Sequence, residues 1–442
     1  MRRDLDSLAT SLRIHDVVHG PYYVAGHLWG SMVGTDLVAL RALSALSVAV
    51  ATALMVVLGS MLLGLRFGIY AALVFTTLPR MMWAATEARS SALVTAAVIA
   101  ATTAFLAALR RDSRCLWVLY GLLLVISVHV FEFAALCFMA LPVVVAAARP
   151  PRRAVIRFGL TTTTAALVCV PFLLQTVRQS DTVNWIAQGF TVHGALKAIG
   201  TSQFLSPDGV PRRDALDAMV WLIAIAGIVL AGWRARTDPD ARVAVSLATA
   251  WLILPTAVLL GYSVLVTPVF EQRYLASSAP ALALAVALAV FYVPAPRNVA
   301  VGPILLVLVM LLSVGAWTHY HAVYAKSGWI QTAQAVAAIK QPGDVVVAAG
   351  PLEANAAAVM PAEFSGLPVI NVTVPYYADN TPLGQVSTLR DNPGLLDGHR
   401  RVWYLAENGI DDADAAVFAH EGFTERERIE QYRLGAILYE RG

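Results

Sequence analysis

Residues 38–63 read VALRALSALSVAVATALMVVLGSMLL, an apolar run broken by one charge, Arg41. At about 1.5 Å of rise per residue, a helix of this length crosses the ~30 Å hydrocarbon core of a bilayer with room to tilt. The pattern recurs near 67–84, 91–109, 115–131, 133–148, 158–176, 219–233, 243–264, 275–293 and 299–317, about ten runs in all. Several are shorter than a straight span requires, and the run from 115 to 148 can be divided in more than one way. Composition agrees: of 442 residues, 58% are hydrophobic and 14% charged, where soluble domains carry about a quarter charged. The chain therefore reads as a polytopic α-helical membrane protein seated in the lipid bilayer. Its 32 basic and 29 acidic residues nearly cancel, at net +3, which argues against nucleic acid as a partner. Cys115, Cys137 and Cys169 fall in or beside apolar runs without metal-ligand spacing, and so read as packing residues. No secretory signal stands in residues 1–36, which hold charges and breaks in place of an uninterrupted apolar core.

Arginine placement sets orientation. Arg66, the Arg110/Arg111/Arg114 group, the Arg149/Arg152/Arg153/Arg157 group, the Arg234/Arg236/Arg242 group and Arg297 occupy alternate loops, which the positive-inside rule makes cytoplasmic. The other loops hold Glu87 with Arg89, the turn from His129 to Glu132, the longer segment 177–218, and Glu271 with Arg273, and should face outward. Parity then puts residues 1–36 and everything after 318 outside. Nothing upstream would carry that N-terminus across, and Arg2, Arg3 and Arg13 oppose its export. The expectation is that a further helix precedes Met1 and that residues 1–36 are the remnant of an outer loop; the alternative is a true N-out start.

From about residue 319 charges, Asn and Gly return, and the pattern predicts a small extracytoplasmic α/β domain. It contains a helix over 327–340 ending at Pro342-Gly343-Asp344, strands at 345–349, 368–372 and 401–405, a helix near 411–420 and a hairpin over 425–440. No GxGxxG or P-loop marks it as a nucleotide binder. The expected organisation is 1–36, a membrane domain over 37–317, and the outer domain 318–442.

Four outward clusters carry the candidate chemistry, and their shared side would let them meet at one cavity. The first is Asp16, His19, Gly20, Pro21, Tyr22 and Tyr23, where a carboxylate can act as general base and tyrosines can line a head group. Read as a loop broken at Gly20-Pro21, it belongs at an interface; the plainer reading is an aromatic belt with a helix-capping acid. The second is Thr86-Glu87-Ala88-Arg89-Ser90, which could equally be a salt-bridged cap. The third is His129-Val130-Phe131-Glu132, where His129 is the candidate and the plainer reading is a satisfied interfacial histidine. The fourth is Pro268 to Leu275, in which Arg273 and Tyr274 face head-group level and Arg273 can hold a phosphate with its fork, or simply snorkel.

The order of these clusters resembles the GT-C superfamily of membrane glycosyltransferases, in particular the family 39, dolichyl-phosphate-mannose protein mannosyltransferase-like group. That group's Asp-x-x-His-Gly/Pro-Pro/Leu-Tyr-Tyr followed by Leu-Arg-x-Leu-Ser-Ala-Leu is matched by Asp16 to Tyr23 and Leu40 to Leu46. Its Glu-Ala-Arg is matched by Glu87-Ala88-Arg89, and its Phe-x-x-Arg-Tyr-Leu and Pro-Ala-Leu-Ala by Phe270 to Leu275 and Pro280 to Ala283. The acidic Asp-Glu pair that the group carries after its first helix has no counterpart before Asp16. Asp4 and Asp6 lack a following Glu.

The resemblance implies transfer of a sugar, mannose by analogy, from a polyprenyl-phosphate donor to a hydroxyl of a glycan or protein acceptor, with inversion at the anomeric carbon. Asp16 would act catalytically, with His19, Tyr22, Tyr23, Glu87, Arg89, His129, Arg273 and Tyr274 binding substrate. Relatives differ in metal use, so a divalent cation stays open. The rival readings are a transporter or flippase, which should show pseudo-repeats and midplane charges, and a catalytically silent lipid-binding relative.

Overall fold

The computed structural model describes residues 8–10, 12, 16–179, 185–207, 214–293, 301–312, 314, 318, 328–376, 378, 383–407, 409–431 and 434–442. Arg2, Arg3, Asp4, Asp6, Arg13 and Arg297, invoked above, lie outside these. Among the described residues six helices are long and apolar enough to cross a membrane: Val38–Leu63, Ser90–Arg111, Arg152–Arg178, Asp214–Arg234, Pro239–Leu265 and Gln272–Tyr292. Leu65–Thr77, Arg114–Val130 and Ala134–Ala148 are shorter apolar segments. The described part of the last expected span is the helix Val301–Leu312.

Proline decides where the expected spans divide. The 67–84 run is two helices, Leu65–Thr77 and Pro79–Ala85. Leu78 between them is extended because a following proline disfavours the helical region. The 133–148 run divides likewise into Ala134–Phe138 and Leu141–Ala148, the second with a proline, Pro142, in its first turn. The run from 272 opens as a 3₁₀ helix, Gln272–Ser278, and becomes α-helical over Ala279–Tyr292. At the N-terminus the outcome differs from expectation. Gly20-Pro21 does not break the chain: a 3₁₀ turn, Val17–His19, runs directly into the helix Gly20–Val33. Pro21 sits in the first turn, where its missing N–H is not needed.

Two glycine contacts set the packing of the membrane unit. The helices Leu37–Leu63 and Leu65–Thr77 turn on Gly64 (φ +92°) and close tightly, since a Cβ on Gly68 would lie 2.3 Å from the Val56 carbonyl oxygen. Helix Ala279–Tyr292 is buried all round from Ala279 to Val290, as a helix apolar on every face should be. Its alanines admit Gly227 of helix Asp214–Arg234, whose Cβ would lie 2.1 Å from the Ala285 carbonyl oxygen.

The chain divides into two compact units, residues 16–320 forming the bulk of one and 321–442 of the other. The second holds strands β1 (Val345–Ala348), β2 (Val372–Val374), β3 (Gln385–Val386), β4 (Arg401–Ala406), β5 (Phe423–Gln431) and β6 (Leu434–Arg441). The main sheet runs β1-β4-β6-β5, with β1 parallel to β4 and the other pairs antiparallel. Period-two alternation sends Val346, Trp403, Leu405 and Leu438 to a core shared with helix Trp329–Ile339. It sends Val347, Tyr404, Ile437 and Tyr439 to the other core, where Phe418 of helix Asp412–His420 stacks on Tyr439 at 4.0 Å. The predicted 368–372 strand shrinks to a single bridge, Val369 to Val346, and the pairing moves to β2 with β3.

Candidate functional site

Asp16 stands at the start of the 3₁₀ turn, its carboxylate favoured by a hydrogen bond with the His19 backbone. The Tyr23 hydroxyl, two turns on, donates to its Oδ2 at 2.7 Å. Gln179, at the end of helix Arg152–Arg178, accepts the Val17 N–H at 2.9 Å and so fixes the turn. Burial raises the Asp16 carboxyl above its usual range, against the lowering effects of His19, the Tyr23 hydrogen bond and Arg89. Burial likewise lowers the His19 imidazole, which therefore stands neutral at pH 7; Asp16 opposes the shift, while Arg89 and Arg273 add to it. Tyr22 is 1% exposed, and burial raises it and Tyr23.

Three further turns converge on this segment. Ser90, first residue of helix Ser90–Arg111, places Oγ 3.3 Å from His19 Nδ1. Arg89, just before it, acts through its charge on Asp16, His19, Tyr22, Tyr23 and Tyr274. Glu87 lies close enough to act on Tyr22. Phe131 ends helix Arg114–Val130 and stacks on His19, ring centroids 5.7 Å apart and planes 4° apart. Tyr274 closes the wall, stacked on Phe133 at 5.1 Å and edge-on to Phe131 at 5.5 Å. Arg273 places Nε 3.6 Å from Glu271 Oε1 and its guanidinium 5.4 Å from the ring of the exposed Trp185. The 3.6 Å contact is an ion pair too long to be a hydrogen bond, so the donors of Arg273 remain usable by an anion.

Of the residues read from sequence, Asp16, His19, Tyr22, Tyr23, Glu87, Arg89, Arg273 and Tyr274 fall within electrostatic or van der Waals reach of one another. His129 is placed elsewhere. Its Nδ1 lies 2.8 Å from the Val125 carbonyl oxygen, and its ring stacks on Phe172 at 4.7 Å beside Cys169. The helix ends at Val130 and the extended Phe131 re-aims the chain, so Glu132 and not His129 reaches the cluster. Among the described residues Glu132 Oε2 has no hydrogen-bond partner; burial pushes the carboxyl up to about 7 against a backbone hydrogen bond that lowers it, with Asp16 adding to the rise. Sequence reasoning also passed over Phe131, Ser90, Gln179 and Trp185. For Glu132 a signal existed, an acid inside an apolar run, but it was outweighed by the adjacent histidine.

Among the described residues no group of three or more His, Cys, Asp or Glu is arranged to hold a metal ion. Chemically, the cluster offers a partly desolvated carboxylate, a neutral imidazole, two guanidinium groups and an aromatic wall. Such a set can take a proton from a hydroxyl while holding an anion.

No protein-family model and no curated protein matches the sequence. Solved structures do share the fold. ArnT from Cupriavidus metallidurans, bound to undecaprenyl phosphate, is 14% identical with a TM-score of 0.58 over 95% of this chain and 87% of that one. The same protein in the apo state gives 12% identity and a TM-score of 0.59 over 98% and 92%. At such identities the likeness is one of fold: this chain is a multi-pass helical protein of GT-C-like architecture with a small C-terminal sheet region.

Proposed function

We propose that the protein is a membrane glycosyltransferase that moves one sugar, mannose in the first instance, from a polyprenyl-phosphate donor to a hydroxyl of a glycan or protein acceptor. One observation carries this reading: residues from four separate turns, spread from Asp16 to Tyr274, gather a carboxylate and two arginines around one aromatic wall. The fold adds support, since a protein of the same architecture binds undecaprenyl phosphate. The sequence motifs of the family 39 group supply the mannose.

In this reading Asp16 takes the proton of the acceptor hydroxyl as its oxygen attacks the anomeric carbon, inverting it, and the lipid phosphate departs. Its raised carboxyl suits a base working near neutral pH. Arg273, with Arg89, offsets the charge that gathers on the phosphate. Neutral His19, with Tyr22, Tyr23 and Tyr274, shapes the sugar region, and Glu87 borders it; His129 supports the helix behind the site rather than touching substrate. The site and the domain after 318 face outward from the plasma membrane, as the arginine pattern indicates.

The test is transfer of label from polyprenyl-phosphate mannose to an acceptor by membranes containing the full chain. Arg273→Ala should lower transfer by ~10²–10³-fold while membrane insertion is retained. Undiminished transfer would remove Arg273 from the phosphate; a wild-type protein that transfers nothing would defeat the transferase reading.

A further inference from the structure

We infer that Glu132 is a second ligand-binding acid of the outer site, whose buried and unpartnered carboxyl oxygen makes a hydrogen bond to a neutral, hydroxyl-bearing part of the substrate, the sugar. This rests on the transferase reading and extends it to a residue with a different task from Asp16.

The geometry is that of a buried carboxyl oxygen in want of a partner. Among the described residues Glu132 Oε2 is sealed from solvent and makes no hydrogen bond. Phe131 on one side stacks on His19 and Phe133 on the other stacks on Tyr274, so the acid sits between the two aromatic contacts that join the first and fourth clusters. Asp16 acts on it through its charge, and it acts in turn on Tyr274; the other charged and titratable groups of the segments that meet at the cluster are His19 and Tyr23, Glu87 and Arg89, Glu271 and Arg273, and Cys137 on the helix that follows it. Among the described residues no cation forms an ion pair with Glu132; the nearest acid to Arg273 is Glu271.

A buried carboxylate with no cation is disfavoured, so the balance shifts toward the neutral acid, which prevails below pH 7. Burial, and the like charge of Asp16, push its titration up to about 7. Asp16 differs because it has the Tyr23 hydroxyl, His19 and Arg89 to favour its ionised form. Burial raises both carboxyls, but Asp16 has a hydroxyl donor and an arginine that favour its ionised form, a difference by which one can serve as base and the other as donor. A neutral carboxyl suits a sugar hydroxyl or ring oxygen, whereas the phosphate belongs to the arginines.

The experiment pairs an activity profile with a direct view of the proton. Transfer from polyprenyl-phosphate mannose is measured from pH 6 to 8.5 for wild type, Glu132→Gln and Glu132→Ala in the full chain. Infrared difference spectra between wild type and Glu132→Gln follow the protonated carboxyl band over the same range. Wild-type transfer should fall by about thirtyfold by pH 8.5, as expected for loss of a proton with a midpoint near 7. Glu132→Gln, which keeps a donor that does not titrate, should abolish that fall. Glu132→Ala should transfer about tenfold more slowly at pH 6.5. A wild-type band at pH 6 that vanishes by pH 8.5 agrees with the proposal. No such band, or an alkaline fall that persists in Glu132→Gln, overturns it. A wild type without transfer would sink the transferase reading and the sugar as ligand together, and the infrared band separates that outcome from failure of Glu132 to hold a proton.

Discussion

Replacing Gly227 with alanine tests whether the close approach of two helices sets the site. The added Cβ would lie 2.1 Å from the Ala285 carbonyl oxygen and 2.6 Å from the Ala289 nitrogen, both backbone atoms that cannot rotate away. It is roughly 1 Å or more short of ordinary van der Waals contact, so helix Asp214–Arg234 must retreat from Ala279–Tyr292. Overpacking of this kind costs about 1–3 kcal/mol. Against it stands a helix-propensity gain of up to about 1 kcal/mol for Gly→Ala. Gly232, on the same helix, has nothing within 4 Å of its would-be Cβ and receives the gain alone. The prediction is therefore one of opposite sign: thermal inactivation in detergent should come earlier for Gly227→Ala and no earlier than wild type for Gly232→Ala. Because the displaced partner helix continues from the 3₁₀ turn that carries Arg273, the Gly227 variant should also lose transfer activity, since an ångström of misplacement is costly to catalysis. Equal midpoints for the two variants would refute the packing argument.

Further expectations concern both units. Tyr23→Phe removes the hydroxyl that lowers the Asp16 carboxyl, so the carboxyl titrates higher and the acid limb of the transfer profile moves to higher pH; an unmoved limb would deny Asp16 the role of base. Arg273→Lys keeps the charge and loses the fork, and should fall between wild type and Arg273→Ala when transfer is measured side by side. In the C-terminal unit Asp344, 1% exposed, accepts from Arg401 Nε at 2.8 Å and Trp403 Nε1 at 3.0 Å. Asp344→Ala leaves a guanidinium and an indole N–H without that acceptor and should cost ~3 kcal/mol, visible as faster proteolysis within 328–442 of the full chain, with the Asp344→Asn variant less affected.

Much of the architecture is a matter of one-dimensional pattern. Residues 38–63 need only their own apolarity to form a span, because a bilayer offers the backbone no hydrogen bonds and the helix must supply them. The tail from 423 to 441 pairs with its own neighbour, β5 on β6, so local alternation was enough to place the hairpin. Proline effects were partly legible: Pro79 and Pro142 open second segments as their chemistry requires, yet Gly20-Pro21 was read as a break when its position at a helix start makes it permissive. The β1 to β4 pairing, parallel and more than fifty residues apart in sequence, needed the fold.

The site divides along the same line. The sequence by itself determined that acids, tyrosines and arginines would stand at helix ends, since charged groups cannot rest in lipid and must gather where the helices end. Only tertiary structure decided which of them meet. His129 and Glu132 stand three residues apart in one apolar run, and no periodicity ranks them; the helix end at Val130 turns one toward Phe172 and the other between the aromatic contacts to His19 and Tyr274. What separates them is the set of groups packed around each side chain, which is written nowhere in its neighbours along the chain.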